Sequence, residues 1–189
     1  MSEIEKRKRA MRNIDELREK MKEVNIIEMD IPEGLKINLG CGLDYRLGYV
    51  NVDTLDIKND VKHDLETYPW PIESDSAGEI LASHLLEHVI DQGDYRGFFR
   101  FFKECHRILK PNGIVKIRTP NYTSIFAFGD PGHRAAFSIN TFFFLSKETY
   151  QHNAENKTQM TQYPIDFDFK IVSINSNIEE ITVVLRKVI

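Results

Sequence analysis

Lys36-Ile37-Asn38-Leu39-Gly40-Cys41-Gly42 decides the fold of this chain. An apolar strand running straight into Gly-x-Gly turns sharply where a Cβ would collide. That turn also brings main chain, with its amides, within reach of a ligand at the carboxyl edge of a sheet. Eleven residues after Gly42, a second apolar run, Tyr49 to Val52, ends at Asp53. A carboxylate there can accept hydrogen bonds from both ribose hydroxyls of an adenosine.

Outward from the loop, strands and helices alternate. Val61 to Leu65 and Ile80 to Ser83 read as further strands. Tyr95 to Leu109 reads as a helix, with Phe98, Phe101, Phe102, Cys105, Ile108 and Leu109 on one apolar face. That aromatic stripe is core material. Lys110-Pro111-Asn112-Gly113 ends the helix, and Ile114 to Thr119 forms the next strand. Near the end, Phe167 to Ile174 and Ile181 to Val188 both alternate apolar and polar residues. The gap around Asn175-Ser176-Asn177 is too short for a parallel crossover, so the two runs pair as an antiparallel hairpin. The expected fold is α/β: a doubly wound, mostly parallel, seven-stranded sheet closed by that C-terminal hairpin.

Residues 1–30 read as a separate N-terminal amphipathic helix, and 31–189 as the main domain. Ile14, Leu17, Met21 and Val24 recur at helical spacing. The helix packs on the domain, provides a seam for a homodimer or forms a lid over the ligand. The chain has 189 residues, enough for one domain with its own core. Its net charge of −4 excludes the broad basic surface of a dedicated nucleic-acid binder. Cys41 and Cys105 sit in no zinc or disulfide spacing. No apolar run approaches a membrane span, and the charged N-terminus lacks an apolar signal core. The expected location is the cytoplasm, with no membrane partner and no metal.

Several further stretches are distinctive together: INLGCG (Ile37 to Gly42), GYVNVD (Gly48 to Asp53), HDLETYPWP (His63 to Pro71), ILASHLLEHV (Ile80 to Val89), ECHRILKPNGIVKIRTPN (Glu104 to Asn121) and DPGHRAAFSINTFFFL (Asp130 to Leu145). In this order and spacing, residues 35 to 145 resemble the class I S-adenosylmethionine (SAM)-dependent methyltransferases, in particular the small group with an L-N-L-G-C-G loop. The resemblance implies a Rossmann-like methyltransferase fold, SAM as cofactor and S-adenosylhomocysteine as product. Asn38, Gly40, Cys41 and Gly42 would surround the methionine moiety, and Asp53 would hold the ribose. Asp64 and Leu65 would lie beside adenine. Ser83 and His84 would line both the cofactor and the acceptor.

The loop itself also separates SAM from a dinucleotide. A nicotinamide fingerprint needs a third glycine where Tyr45 stands, to seat a pyrophosphate. SAM has no phosphates. Two positions depart from the family pattern: Asn38 replaces a common acid, and Glu79 replaces an aspartate.

SAM brings its own activated methyl, so the protein aligns an acceptor and handles one proton. Histidine is tuned nearest neutrality for that work. His84, just past the strand at the cofactor edge, is the leading candidate. Asp130 and His133, in a turn-rich loop resembling the family's D-P-x-H element, could form a base pair across the acceptor pocket. Glu87 and His88 read as capping or inter-element hydrogen bonders. The expected activity is methyl transfer to a small molecule, sugar or nucleotide, on oxygen. The alternatives are a SAM-binding scaffold without turnover and a nicotinamide-dependent oxidoreductase.

Overall fold

Short β-branched and apolar runs, buried over consecutive residues, set the sheet. The computed structural model describes residues 5, 30–149, 163 and 165–189. β1 (Leu35–Leu39), β2 (Val50–Asp53), β3 (Val61–Lys62), β4 (Ala77–Ser83), β5 (Leu109–Pro120), β6 (Phe169–Ser176) and β7 (Glu180–Lys187) form one sheet. Their spatial order is β3-β2-β1-β4-β5-β7-β6. β1 to β5 pair in parallel, and β7 runs antiparallel to both β5 and β6. The expected single reversed strand is therefore β7. Its turn is fixed by Asn177, whose side-chain oxygen accepts from the amides of Glu179 and Glu180 at 2.8 Å.

Register explains which face holds the core. Ile37, Ile80, Val115 and Leu185 align across neighbouring strands, and all are fully buried. One residue further on, the aligned row is Asn38, Leu81, Lys116 and Val184. A slip of one position would exchange these two faces, so the pattern pins the register. The apolar face belongs to one core cluster with α2 (Tyr95–Ile108), the helix between β4 and β5. Asp94 caps α2 by accepting from the Arg96 amide. The expected stripe, Phe98, Phe101, Phe102, Cys105 and Ile108, is buried as read. Phe102 packs on Phe142 and Phe169, and Phe101 meets Trp70 edge-on. Each such ring contributes on the order of 2 kcal/mol through burial.

Before α2 comes the single-turn α1 (Leu86–Val89); after β5 come α3 (Ile125–Gly129) and α4 (Ile139–Phe142). The Lys110-Pro111-Asn112-Gly113 segment does follow the helix. It lies within the bounds of β5, where the register with β4 slips between Ala77 and Glu79 and Asn112 takes φ 64°. The connections 40–49 and 54–60 contain no helix. That brevity brings the glycine loop directly onto the end of β2. Apart from Glu5 and Asp30, the N-terminal amphipathic helix expected over residues 1–30 lies outside the described residues. No helix among the described residues is long and apolar enough to cross a membrane.

Candidate functional site

The carboxyl ends of β1, β2, β4 and β5 meet along one edge, and every site residue read from the sequence lies at or near it. At β1, Gly40 has φ 62° and Gly42 φ 48°, a left-handed region that favours glycine. A Cβ on Gly40 would stand 2.6 Å from Leu85 Cδ1. A Cβ on Gly42 would meet nothing within 4 Å, so Gly42 opens a cradle beside the loop.

The loop amides are not exposed to a ligand, contrary to expectation. Gly40 and Cys41 donate to the Val52 carbonyl at 2.9 and 3.1 Å, and Gly42 donates to Asp53 Oδ2 at 2.8 Å. Because no helix separates β1 from β2, the turn folds back on its neighbour and uses these donors itself. Asp53 is 7% exposed, and its Oδ1 accepts from the Leu55 amide at 2.9 Å. Each carboxylate oxygen retains a further lone pair. The carboxylate therefore joins the two loops where a ribose would lie.

Asn38 is buried and turned inward. Its side chain donates to the Asp44 carbonyl (2.8 Å) and to Asn51 Oδ1 (3.1 Å). Sequence reasoning missed the residue that organises this region, Asn51. It is fully buried, accepts from the Arg46 amide, and donates to the carbonyls of Arg46 and Tyr49 and to Asp60 Oδ2. Its signal was an amide in mid-strand, where an apolar residue would otherwise stand. Burial, followed by the nearby Asp53 charge, pushes the Cys41 thiol up, which suits a packed side chain. Asp64 closes a turn by accepting from the Glu66 amide and the Thr67 hydroxyl. Leu65 is buried, and its carbonyl accepts from the Trp70 indole.

The β4–β5 side is made of side chains. Ser83 ends β4 opposite Arg118. His84 follows with φ 52°, a strained conformation for a residue with a Cβ. Its Nδ1 lies 3.2 Å from Glu87 Oε1, and its Nε2 lies 3.1 Å from Glu180 Oε1. With both ring nitrogens facing carboxylates, His84 positions the edge rather than offering a free lone pair. Burial raises the Glu180 carboxyl, but Arg118 and His84 outweigh it and hold the carboxyl below its usual range.

Glu87 is 1% exposed and accepts from the Thr119 hydroxyl at 2.9 Å, an inter-element bond as read from the sequence. His88 Nδ1 lies 3.2 Å from the Gly132 carbonyl. Asp130 and His133 do not face each other across a pocket. They share one turn, with the His133 amide on the Asp130 carbonyl and His133 Nε2 3.9 Å from Asp130 Oδ2. The His133 ring instead meets His88, with centroids 4.6 Å apart. Arg134 straps the turn down: its amide donates to the Glu87 carbonyl, and its guanidinium reaches Glu66 (2.6 Å) and Asp91 (3.2 Å). Beyond this strap lies a cavity of about 580 Å³, lined by Asn121, Tyr122, Thr123, Ser138 and Thr141 among others. Ser138 and Thr141 belong to the Asp130 to Leu145 stretch that carries part of the family resemblance.

Solved structures share this architecture. A SAM-dependent methyltransferase from Archaeoglobus fulgidus aligns with TM-score 0.54 and 18% identity over 82% of this chain and 86% of its own. One from Methanosarcina mazei aligns with TM-score 0.54 and 13% identity, covering 88% and 99%. The N-methyltransferase NodS from Bradyrhizobium japonicum aligns with TM-score 0.52 and 10% identity, covering 93% and 96%. No family model matches the sequence, and no curated protein matches it significantly. The chain has the α/β fold of the class I SAM-dependent methyltransferases.

Proposed function

We propose that this protein is a SAM-dependent methyltransferase acting on an oxygen of a small-molecule, sugar or nucleotide acceptor. The observation that supports this most is Asp53: a nearly buried carboxylate at the end of β2, tied to Gly42 of the loop after β1. Gly42's open side accommodates the methionyl portion, and the free lone pairs of Asp53 suit the ribose hydroxyls. The Asp64 turn and Leu65 follow β3 on the side where adenine would rest. SAM supplies a methyl on a sulfonium. In such a transfer the acceptor oxygen would gain that methyl, S-adenosylhomocysteine would be released, and the hydroxyl proton would pass to a base.

The chain's own groups hold the acceptor. The cavity rimmed by Asn121, Thr123, Ser138 and Thr141 presents hydroxyls and amides suited to a polyhydroxylated molecule. Asp130, whose side chain is half exposed beside His133 and outside the lining of that cavity, is the candidate base. His84 keeps the β4 edge in its strained shape through Glu87 and Glu180.

Calorimetry with S-adenosylhomocysteine and NAD, followed by turnover on a panel of hydroxylated acceptors, tests this reading. Binding of S-adenosylhomocysteine at micromolar affinity with methyl transfer to oxygen is the expected outcome. NAD binding without S-adenosylhomocysteine binding overturns it. One observation favours a second reading, a SAM-binding scaffold: every amide of the glycine loop and both nitrogens of His84 are already engaged. Binding without turnover on any acceptor selects it.

A further inference from the structure

Glu87, His88 and His133 form a cluster that the cofactor reading leaves unused. One ligand-capable atom from each lies within 4.8 Å of the other two. We propose that these three residues bind a divalent transition-metal ion of the Zn²⁺ and Co²⁺ type. No metal spacing is legible in the sequence, because Glu87 and His88 are neighbours and His133 comes from a distant turn. The fold unites them, and the Arg134 and Ala135 amides hold that turn across α1 at the Glu87 carbonyl.

Three features suit a cation. First, His88 Nδ1 faces a backbone carbonyl, which only accepts. That nitrogen therefore carries the proton, and Nε2 keeps its lone pair, an orientation common in metal-ligating histidines. Second, the His133 side chain is 9% exposed, and its Nδ1 is buried with no hydrogen-bond partner. A buried ring nitrogen without a partner is rare and calls for an unfilled role. Its other nitrogen faces Asp130, which leaves Nδ1 as the ligand atom. Third, the Glu87 carboxylate is buried, and among the described residues His84 is its one ion-pair partner. A divalent ion would supply the missing positive charge.

Two imidazoles and a carboxylate match zinc-type ions rather than Mg²⁺, which prefers a shell of oxygens and water. Tetrahedral ligands at zinc distances stand about 3.4 Å apart, so the cluster closes by small side-chain rotations. Three protein ligands leave a position open for water or an acceptor oxygen. An acceptor hydroxyl extending from the cavity lined by Asn121 and Ser138 to that position would meet a Lewis acid, since none of the three ligands lines the cavity itself. That role rests on the methyltransferase reading; the binding itself does not. His133 then serves as a ligand, and Asp130 remains the proton acceptor.

The test uses the full chain, stripped with chelator and titrated with Co²⁺ at neutral pH, read by visible absorption and calorimetry. The expected result is one Co²⁺ per chain with a ligand-field band, displaced by Zn²⁺. His133→Ala and His88→Ala each weaken Co²⁺ binding at least tenfold. His106→Ala, at a histidine bonded to the Val188 carbonyl, leaves it unchanged. Thermal unfolding verifies that each variant is folded, and the His88 variant serves if the His133 variant is not. Absence of stoichiometric Co²⁺ binding, or binding unaffected by both substitutions, overturns the site. S-adenosylhomocysteine binding is measured on the same samples. Retained nucleoside binding without Co²⁺ rejects the metal alone; Co²⁺ without nucleoside binding rejects the methyltransferase reading alone.

Discussion

The carboxyl edge of the sheet is built in two ways. Around β1 and β2 it is main chain closed on itself, with Gly40, Cys41 and Gly42 bonded to Val52 and Asp53 and the whole braced by Asn51. Around β4 and β5 it is side chains: His84, Glu87, His88 and His133, with one buried nitrogen unsatisfied. Backbone hydrogen bonds make a shape in advance, which suits a constant ligand. Ring nitrogens and carboxylates provide charge and protons, which suits the reacting partner. The short 40–49 connection makes the first half rigid. The strap through Arg134 makes the second depend on ion pairs to Glu66 and Asp91.

Substitution should separate the halves. The largest effect is expected from Asp53→Ala, which removes two backbone partners and the ribose contacts. With charge-assisted hydrogen bonds at about 1.5–3 kcal/mol each, S-adenosylhomocysteine affinity should fall at least about 100-fold by calorimetry. Unchanged affinity would refute the ribose assignment. Co²⁺ binding should survive, since Asp53 lies in the other half.

Asn51→Ala should lower stability by about 3 kcal/mol in urea unfolding, because it strands the Asn38 amide and the Arg46 N–H. A loss below about 1 kcal/mol would mean that the loop holds without its brace. Gly42→Ala adds a Cβ to the cradle at φ 48°. The strain is about 1 kcal/mol, and nucleoside binding should weaken by about tenfold. Full affinity would place the ligand elsewhere.

The smallest expected effect lies far from both halves. Burial, followed by the Lys187 charge, lowers the His106 pKa below its usual value. Above pH ~6.5 the ring is neutral in both folded and unfolded states, and its contribution is fully present. As pH falls from there through the folded value, the unfolded chain takes up the proton first and stability is lost. The ring is only partly buried, so solvent screening keeps this effect small. His106→Gln should flatten the stability profile below about pH 6.5. An unchanged profile would assign the acid sensitivity to other groups.

The strand segments, the hairpin and the α2 stripe were legible in sequence because each is a local signal, whereas the order of the strands in the sheet was not. Ile37 and Leu39, Phe98 through Ile108, and the alternation in β6 and β7 were read from residues within one element. The candidate cofactor residues were legible from placement along the chain: Gly40, Gly42 and Asp53 mark strand ends. Their bonding was not. That Gly42 spends its amide on Asp53, and that Asn38 turns to Asn51, follows from two strands lying side by side with nothing between them.

The amino-acid order by itself determined the α/β sheet, its buried face and the edge that carries the glycine loop, since apolar patterning and glycine placement act over a few residues. Only the tertiary structure decided which polar groups meet there. Glu87 and His133 are 46 residues apart in sequence, and what joins them is the Arg134 amide folded over α1. A contact made by chain return leaves no spacing to read, because its distance is set by packing rather than by position.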